Sequence, residues 1–291
     1  MKGVQKLAIG TANFGLDYGI NNANGKLSYI QVAQILDLAT KLKINFLDTA
    51  SAYGNSEQVL GKYLSKAKAK DIRLISKVIV GSQIDLAQEL KKSLQNLHKK
   101  KLFGYLIHNF QEFKKHPDIF QEFLRLKQQG FAEKVGFSLY FPQDLEFLIK
   151  HKIQFDIVQV PYNIFDQRFE PYFKKLKENK VEIHCRSVFL QGLFFKSTKE
   201  LKPPLNKAAT KLEFLQKITI QQKIPLQTLC LQFVALNPFI DKIVIGIDSI
   251  KQLQENADTF IQQKNVKYIY KELKKLKVED ENIILPFNWK K

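Results

Sequence analysis

Short apolar runs alternate with amphipathic segments along this chain, with a period of roughly 30 to 35 residues. The runs fall at 6–10, 45–50, 73–78, 103–108, 134–138, 157–161, 182–189 and 242–247. Each is short and apolar at successive positions, as a strand buried on both faces requires. The segments between them carry helical spacing. Segment 29–42 places Ile30, Ala33, Leu36 and Leu38 among polar residues, and 56–64 follows the second run. Segment 85–97 opens on Asp85, a helix-capping type, and sets Leu86, Leu90, Leu94 and Leu97 on one face. Segment 118–129 runs into Gly130, a C-terminal stop. Segments 143–150, 170–179, 210–222, 225–236 (with Pro225 in the first turn) and 249–260 complete the series. Eight strand–helix alternations predict an α/β fold, a (β/α)8 TIM barrel in a single domain. Residues 1–275 form the predicted barrel, with its chemistry at the C-terminal rim, and 276–291 a C-terminal tail rich in Ile283, Ile284, Leu285, Phe287 and Trp289.

Composition narrows the function classes. A chain of 291 residues with 45% hydrophobic residues supports a buried core, and no run reaches the length of a membrane span. The chain enters a strand-like segment directly from Met1, which reads as the absence of a signal peptide, and a cytoplasmic location is expected. Cys185 and Cys230 sit in apolar surroundings on different elements and read as reduced structural thiols. No His/Cys cluster has metal-ligand spacing, so no metal is expected. The net charge of +18 raises the question of nucleic acid. Lysines scattered over the predicted helices supply nearly all of it, and arginine occurs only at Arg73, Arg125, Arg168 and Arg186. Specific base and phosphate readout favours arginine forks, so a solvated lysine surface is the better reading, with no specific nucleic-acid partner and no membrane partner.

Three consecutive strands deliver polar groups at or just past their C-terminal ends. Residues 48–57 read Asp-Thr-Ala-Ser-Ala-Tyr-Gly-Asn-Ser-Glu, placing the carboxylate of Asp48 five residues before the phenol of Tyr53. The third strand ends in Ser76-Lys77 and the fourth in Leu106-Ile107-His108. A free tyrosine, with a pKa of about 10, is a poor acid near neutrality. A nearby ammonium is expected to lower it, with Asp48 holding the ammonium in place. Tyr53 can then give a proton to a carbonyl oxygen that His108 aims. Each residue alone has a structural reading; four of them at matching strand ends do not.

These segments resemble the aldo-keto reductases, over nearly the whole chain from Leu7-Ala-Ile-Gly-Thr11 to Glu255-Asn256. The resemblance implies a (β/α)8 reductase that uses a nicotinamide cofactor to convert an aldehyde or ketone to an alcohol. Tyr53 would be the proton donor, Lys77 and Asp48 its tuning pair, and His108 the group that orients substrate. On the cofactor side, Ser138 in Gly136-Phe137-Ser138-Leu139 and Gln159 match groups that hold the nicotinamide amide, although Leu139 replaces the usual asparagine. Arg186 stands where many members stack a tyrosine on the nicotinamide ring. Gly246, Ser249, Gln252 and Asn256 fall in register with the adenosine-phosphate motif. Gly246 and Gln252 occupy positions where some members use lysine and arginine, with Lys251 nearby. The cofactor implied is NADPH, with NADH left open. The dinucleotide fingerprint of an open-sheet domain is absent, since Gly10-Thr-Ala-Asn-Phe-Gly15 lacks its middle glycine.

The substrate is expected to be a small carbonyl compound. Aromatic residues beside the strand ends, among them Phe14, Tyr18, Tyr140, Phe141, Tyr162, Phe165 and Phe189, are candidate pocket walls, together with Asn163. Arg168 is a candidate for binding carboxylate or phosphate, against an internal pair with Asp166 or Glu170. Segments 160–168 and 186–192 resemble those of bacterial members encoded with surface-sugar biosynthesis genes, which implies a sugar or nucleotide-sugar carbonyl and a role in carbohydrate metabolism. The competing class is a regulatory module that binds cofactor and turns over slowly. The sequence carries no mark of oligomeric state.

Overall fold

The computed structural model describes residues 3–19, 25–66, 71–261 and 266–289. Eight parallel strands close into a barrel in sequence order: β1 (Leu7–Gly10), β2 (Phe46–Asp48), β3 (Arg73–Val78), β4 (Leu102–Ile107), β5 (Ala132–Ser138), β6 (Ile157–Pro161), β7 (Glu182–Arg186) and β8 (Lys242–Gly246). β8 pairs with β1 through Leu7↔Ile243 to Gly10↔Gly246, which leaves no open edge. Every strand points the same way, so all C-terminal ends share one rim. The predicted strands all occur. The seventh is shorter than the apolar pattern suggests, because Ser187 takes φ 60° and turns the chain out of the sheet after Arg186.

The helices follow the amphipathic pattern closely. Tyr29–Lys41 starts on a capping box in which Ser28 and Gln31 bond one another's backbone. Asp85 caps Leu86–Asn96 by accepting from Gln88 N at 2.9 Å. Pro225 stands at the N-cap of Leu226–Ala235, just ahead of the first turn. The sequence pattern did not single out the helix Phe110–Lys115, which is short and held by tertiary packing. Its Phe110 and Phe113 pack edge-on against Phe137 of β5, with centroids 5.9 and 4.9 Å away.

Two apolar layers result. Strand residues facing outward join the helices in the main core. Ala8, Phe46, Ile75, Phe103, Leu106, Ile157 and Val244 fill the barrel interior. Phe46 and Phe103 meet edge to face at 4.9 Å. Lysine and arginine heads cover this plug: Lys242 Nζ lies 4.1 Å from the centre of Phe46, and Arg73 and Lys134 each lie 5.2 Å from that of Phe103. Part of the positive charge therefore packs on aromatic faces. Segment 276–289 lies against the barrel, with Val278 N donating to Phe165 O at 2.8 Å and Ile283, Ile284 and Leu285 buried. Among the described residues no helix is long and apolar enough to cross a membrane.

Strands β5 and β6 approach so closely at Gly136 that an added Cβ would stand 1.8 Å from Ile157 O. Gly136→Ala is expected to force the strands apart and lower the unfolding free energy by about 3 kcal/mol or more, measured by urea denaturation. A loss within ~0.5 kcal/mol would show that the pairing yields without cost.

Candidate active site

The segment 48–57 uses nearly all of its polar groups to fix one turn. Thr11 Oγ1 donates to Asp48 O at 3.1 Å, and Ser56 Oγ lies 2.8 Å from Thr11 Oγ1 and 3.1 Å from Thr49 Oγ1. Ser51 N and Oγ both donate to Lys77 O, at 3.0 and 3.1 Å, tying the loop to the end of β3. Tyr53 N donates to Ala50 O and Ser56 N to Tyr53 O, each at 3.0 Å, with Gly54 between them at φ 55°. Gly15 leaves room for this turn; a Cβ there would lie 1.8 Å from Tyr53 O. Buried Glu57 closes the other side, accepting from Ser76 Oγ at 2.6 Å and Asn96 Nδ2 at 3.3 Å. The turn is thus held by β1, β2 and β3 together and carries Tyr53 on a rigid frame.

Asp48, Lys77, Tyr53 and His108 converge at the rim. Lys77 is fully buried, and its Nζ donates to Asp48 Oδ2 at 2.6 Å and Thr49 O at 2.9 Å. Asp48 Oδ1 accepts from Gln159 Nε2 at 2.7 Å. The ammonium lies 5.0 Å from the centre of the Tyr53 ring, and the His108 ring stands edge-on to Tyr53 at 5.6 Å. Burial holds the Lys77 ammonium below its usual range, and Asp48 opposes that shift. Burial first, and the Asp48 carboxylate second, push the Tyr53 phenol well above its usual range, while Arg186 pulls it back. The expected lowering by lysine is therefore corrected: burial dominates, and the Asp48 carboxylate to which Lys77 is committed raises the phenol further. Burial, with Lys77 and Arg186 nearby, lowers His108 to about 3, so its imidazole is neutral at physiological pH.

A cleft of about 480 Å³ opens over this group and continues past β1 to β8. Ser138, Gln159, Arg186, Gly246, Gln252 and Asn256 line it, as the sequence suggested. Ser249 does not; its Oγ accepts from Gln252 N at 3.1 Å and so caps the helix Ile250–Ile261. Two buried amide oxygens of cleft-lining residues, Gln159 Oε1 and Asn13 Oδ1, have no hydrogen-bond partner among the described residues. The Asp48 carboxylate accepts from the Gln159 amide nitrogen, which leaves Oε1 in need of a donor. A carboxamide N–H is the donor such an oxygen needs, so the residues present fit a nicotinamide group. Asn13, Asp248, Glu255, Gln191 and Gln227 also line the cleft and carried no sequence signal beyond their nearness to recognised segments.

The candidate substrate residues divide. Tyr140, Tyr18 and Phe189 line the cleft. Phe14 does not, being fully buried in the main core with Tyr162 and Phe165. Buried Asn163 instead braces a loop, donating to Ser187 O at 3.0 Å and accepting from Phe165 N and Asp166 N at 2.9 Å. Arg168 is likewise structural. It pairs with Asp166 and Glu281, each at 2.9 Å, and donates to Tyr140 O, so the tail helix Glu281–Ile284 takes the charge expected to meet substrate. Arg186 is the cation that faces the cleft, with Tyr140 under its guanidinium at 4.0 Å, Leu139 O accepting from it at 2.9 Å, and Phe287 of the tail edge-on to Tyr140 at 5.1 Å.

Two outcomes follow from these couplings. Lys77→Met leaves Asp48 buried beside an apolar chain and should cost about 3–5 kcal/mol in urea denaturation. The double variant Asp48→Asn/Lys77→Met should recover part of that loss; no recovery would mean that the pair is not coupled. Because folded His108 refuses a proton that the unfolded chain accepts below pH ~6.5, it should lower stability as pH falls from there toward about 3. NMR titration should find its ring neutral from pH 5 to 8, and an inflection near pH 6.5 would contradict this.

Residues 6–276 match the Aldo/keto reductase family. An uncharacterized oxidoreductase of Bacillus subtilis (strain 168), YqkF, is 23% identical over 285 residues, covering 87% of this chain and 90% of that one. The holo form of the aldo-keto reductase AKR11C1 from Bacillus halodurans superposes with a TM-score of 0.78, at 23% identity over 94% of each chain. A putative aldo-keto reductase of Pseudomonas aeruginosa does so with a TM-score of 0.65, at 21% identity, covering 88% of this chain and 90% of that one. These structural likenesses establish the shared barrel, and the family match extends over nearly all of the chain: the protein belongs to the aldo/keto reductase family, oxidoreductases of carbonyl compounds that generally use NAD(P)H.

Proposed function

We propose that the protein reduces an aldehyde or ketone to an alcohol, with Tyr53 as general acid. The observation that supports this most directly is the Lys77 ammonium 5.0 Å from the Tyr53 ring, anchored on Asp48, with His108 edge-on to the same ring. A bound nicotinamide would supply hydride to the carbonyl carbon, with Ser138 and Gln159 as the residues that hold its amide. His108, neutral at working pH, donates a hydrogen bond to the carbonyl oxygen and aims it at the phenol. As negative charge develops on that oxygen, Tyr53 Oη transfers its proton there. A nascent alkoxide is a stronger base than a phenolate, so the transfer runs downhill even from a phenol raised by burial. Arg186, whose charge favours the phenolate, helps to balance the charge left on Tyr53, and solvent then returns the proton.

The cofactor in this reading is a reduced nicotinamide dinucleotide, NADPH by family resemblance with NADH left open. For substrate, the resemblance of segments 160–168 and 186–192 to surface-sugar members suggests a sugar or nucleotide-sugar carbonyl. The cleft suits such a compound, with the aromatic faces of Tyr18, Phe189 and Phe195 beside the amide of Gln191 and the cation of Arg186.

Tyr53→Phe should keep cofactor binding and lose about 10²-fold or more in kcat, read by oxidation of bound reduced cofactor with a panel of sugar and simple aldehydes. Unchanged turnover would remove Tyr53 as the acid. Tight cofactor binding by the unaltered protein with no turnover across the panel would favour the slow regulatory module.

A further inference from the structure

The two reduced nicotinamide dinucleotides differ by one phosphate on the adenosine ribose, and the cleft carries a marked charge asymmetry along its length. Reduction must occur at the end formed by Tyr53 and His108. The rest of an extended dinucleotide can only follow the cleft past Thr11 and Asn13 to its β8 end. Arg186 is the one lysine or arginine among the described residues that line this cleft, and it belongs to the reacting end, where Leu139 O and the Tyr140 ring hold it.

The β8 end carries the opposite sign. Asp248 and Glu255 line it as carboxylates. Asn13 Nδ2 donates to Asp248 Oδ1 at 2.8 Å and to Ile247 O at 2.6 Å, which fixes the carboxylate against β1. That arrangement leaves the buried Asn13 Oδ1 unpartnered on the same wall. Gln252 Oε1 accepts from Asp248 N at 2.8 Å, so this backbone donor is already engaged. Gln252 and Asn256 offer only neutral amide donors. Lys251 is 85% exposed and 3.9 Å from Glu255, and does not line the cleft. At Gly246 an added Cβ would meet nothing within 4 Å, so a side chain placed there would enter open space.

Resting on the reductase reading above, we propose that the protein selects NADH over NADPH, with Asp248 as the residue that decides. A ribose diol brings two O–H donors to a wall of acceptors: the Asp248 carboxylate, Glu255 and the orphaned Asn13 Oδ1. A 2′-phosphate brings about −1.5 to −2 charges and only acceptors to the same wall. Acidic side chains accept from the ribose hydroxyls of NAD in other dinucleotide sites, and arginine accommodates the 2′-phosphate of NADP, for this same reason. The overall charge of +18 does not reverse the preference. Exposed lysines are screened over about 8 Å at physiological ionic strength, whereas the carboxylates are in the cleft wall.

Calorimetric titration of the full chain with NADH and with NADPH at physiological ionic strength tests this without turnover. NADH should bind at least about tenfold more tightly. Asp248→Ser and, separately, Gly246→Lys should each shift the affinity ratio toward NADPH by about tenfold, with thermal melts checking that both variants are folded. Gly246→Lys probes the same pocket by a side chain that enters empty space, so a misfolded Asp248 variant leaves the question answerable. Equal affinities, or tighter NADPH binding, would overturn the preference while leaving the reductase reading intact. A preference for NADH that Asp248→Ser leaves unchanged would remove Asp248 as its source. Binding of neither dinucleotide would overturn both readings.

Discussion

The ion pair between Asp48 and Lys77 is the constraint on which the rest of the rim depends. A fully buried ammonium is tolerated only if its charge is matched at short range and its protons are received. Asp48 Oδ2 and Thr49 O provide this at 2.6 and 2.9 Å, and Gln159 satisfies the remaining carboxylate oxygen. One pair therefore ties together β2, β3 and β6. It also sets the ammonium 5.0 Å from the Tyr53 ring and leaves Gln159 Oε1 without a donor among the described residues. The interior near this rim is therefore polar, while the rest of the barrel is plugged by apolar residues, Phe46 and Phe103 among them.

A second chain of contacts runs from the tail to the cleft. Phe287 packs on Tyr140, Tyr140 lies under Arg186, and Arg186 lines the cleft with Tyr53 and His108. Arg168, joined to Glu281, holds the same tail helix and the backbone of Tyr140. Residues 281–289 thus help to hold one wall of the site. The two arginines differ by what surrounds them. Arg168 meets two carboxylates and is spent on structure, whereas Arg186 meets a carbonyl, a hydroxyl and an aromatic face and keeps its charge for the cleft.

Charge also separates the two ends of the cleft. The cation at β7 and the carboxylates at β8 line one continuous cleft, so its two ends present opposite charge to whatever enters it. The bulk excess of lysine acts elsewhere, partly by covering the aromatic plug through Lys134 and Lys242.

The alternation of apolar runs and amphipathic segments was enough to determine the barrel, because strand and helix periodicities are local and each strand had to be buried on both faces. The rim residues Asp48, Tyr53, Lys77 and His108 were legible for a related reason: parallel strands in sequence order place consecutive C-terminal ends side by side. The end of β7 was not legible, since one residue in a left-handed conformation at Ser187 outweighs the apolar pattern of 187–189. Nor could sequence separate Arg168 from Arg186, or Phe14 from Tyr140, because burial and partner choice depend on other elements of the fold, such as Glu281 for Arg168 and Leu139 and Tyr140 for Arg186. The direction of the Tyr53 shift was not legible either, as it depends first on how completely the fold buries the phenol and then on the Asp48 carboxylate beside it. Local periodicity determined which strands form and in what order they meet. Only the tertiary structure decided which charges are spent inside the protein and which are left for a ligand, because a charge's partners are set by three-dimensional distance and by the water that burial removes.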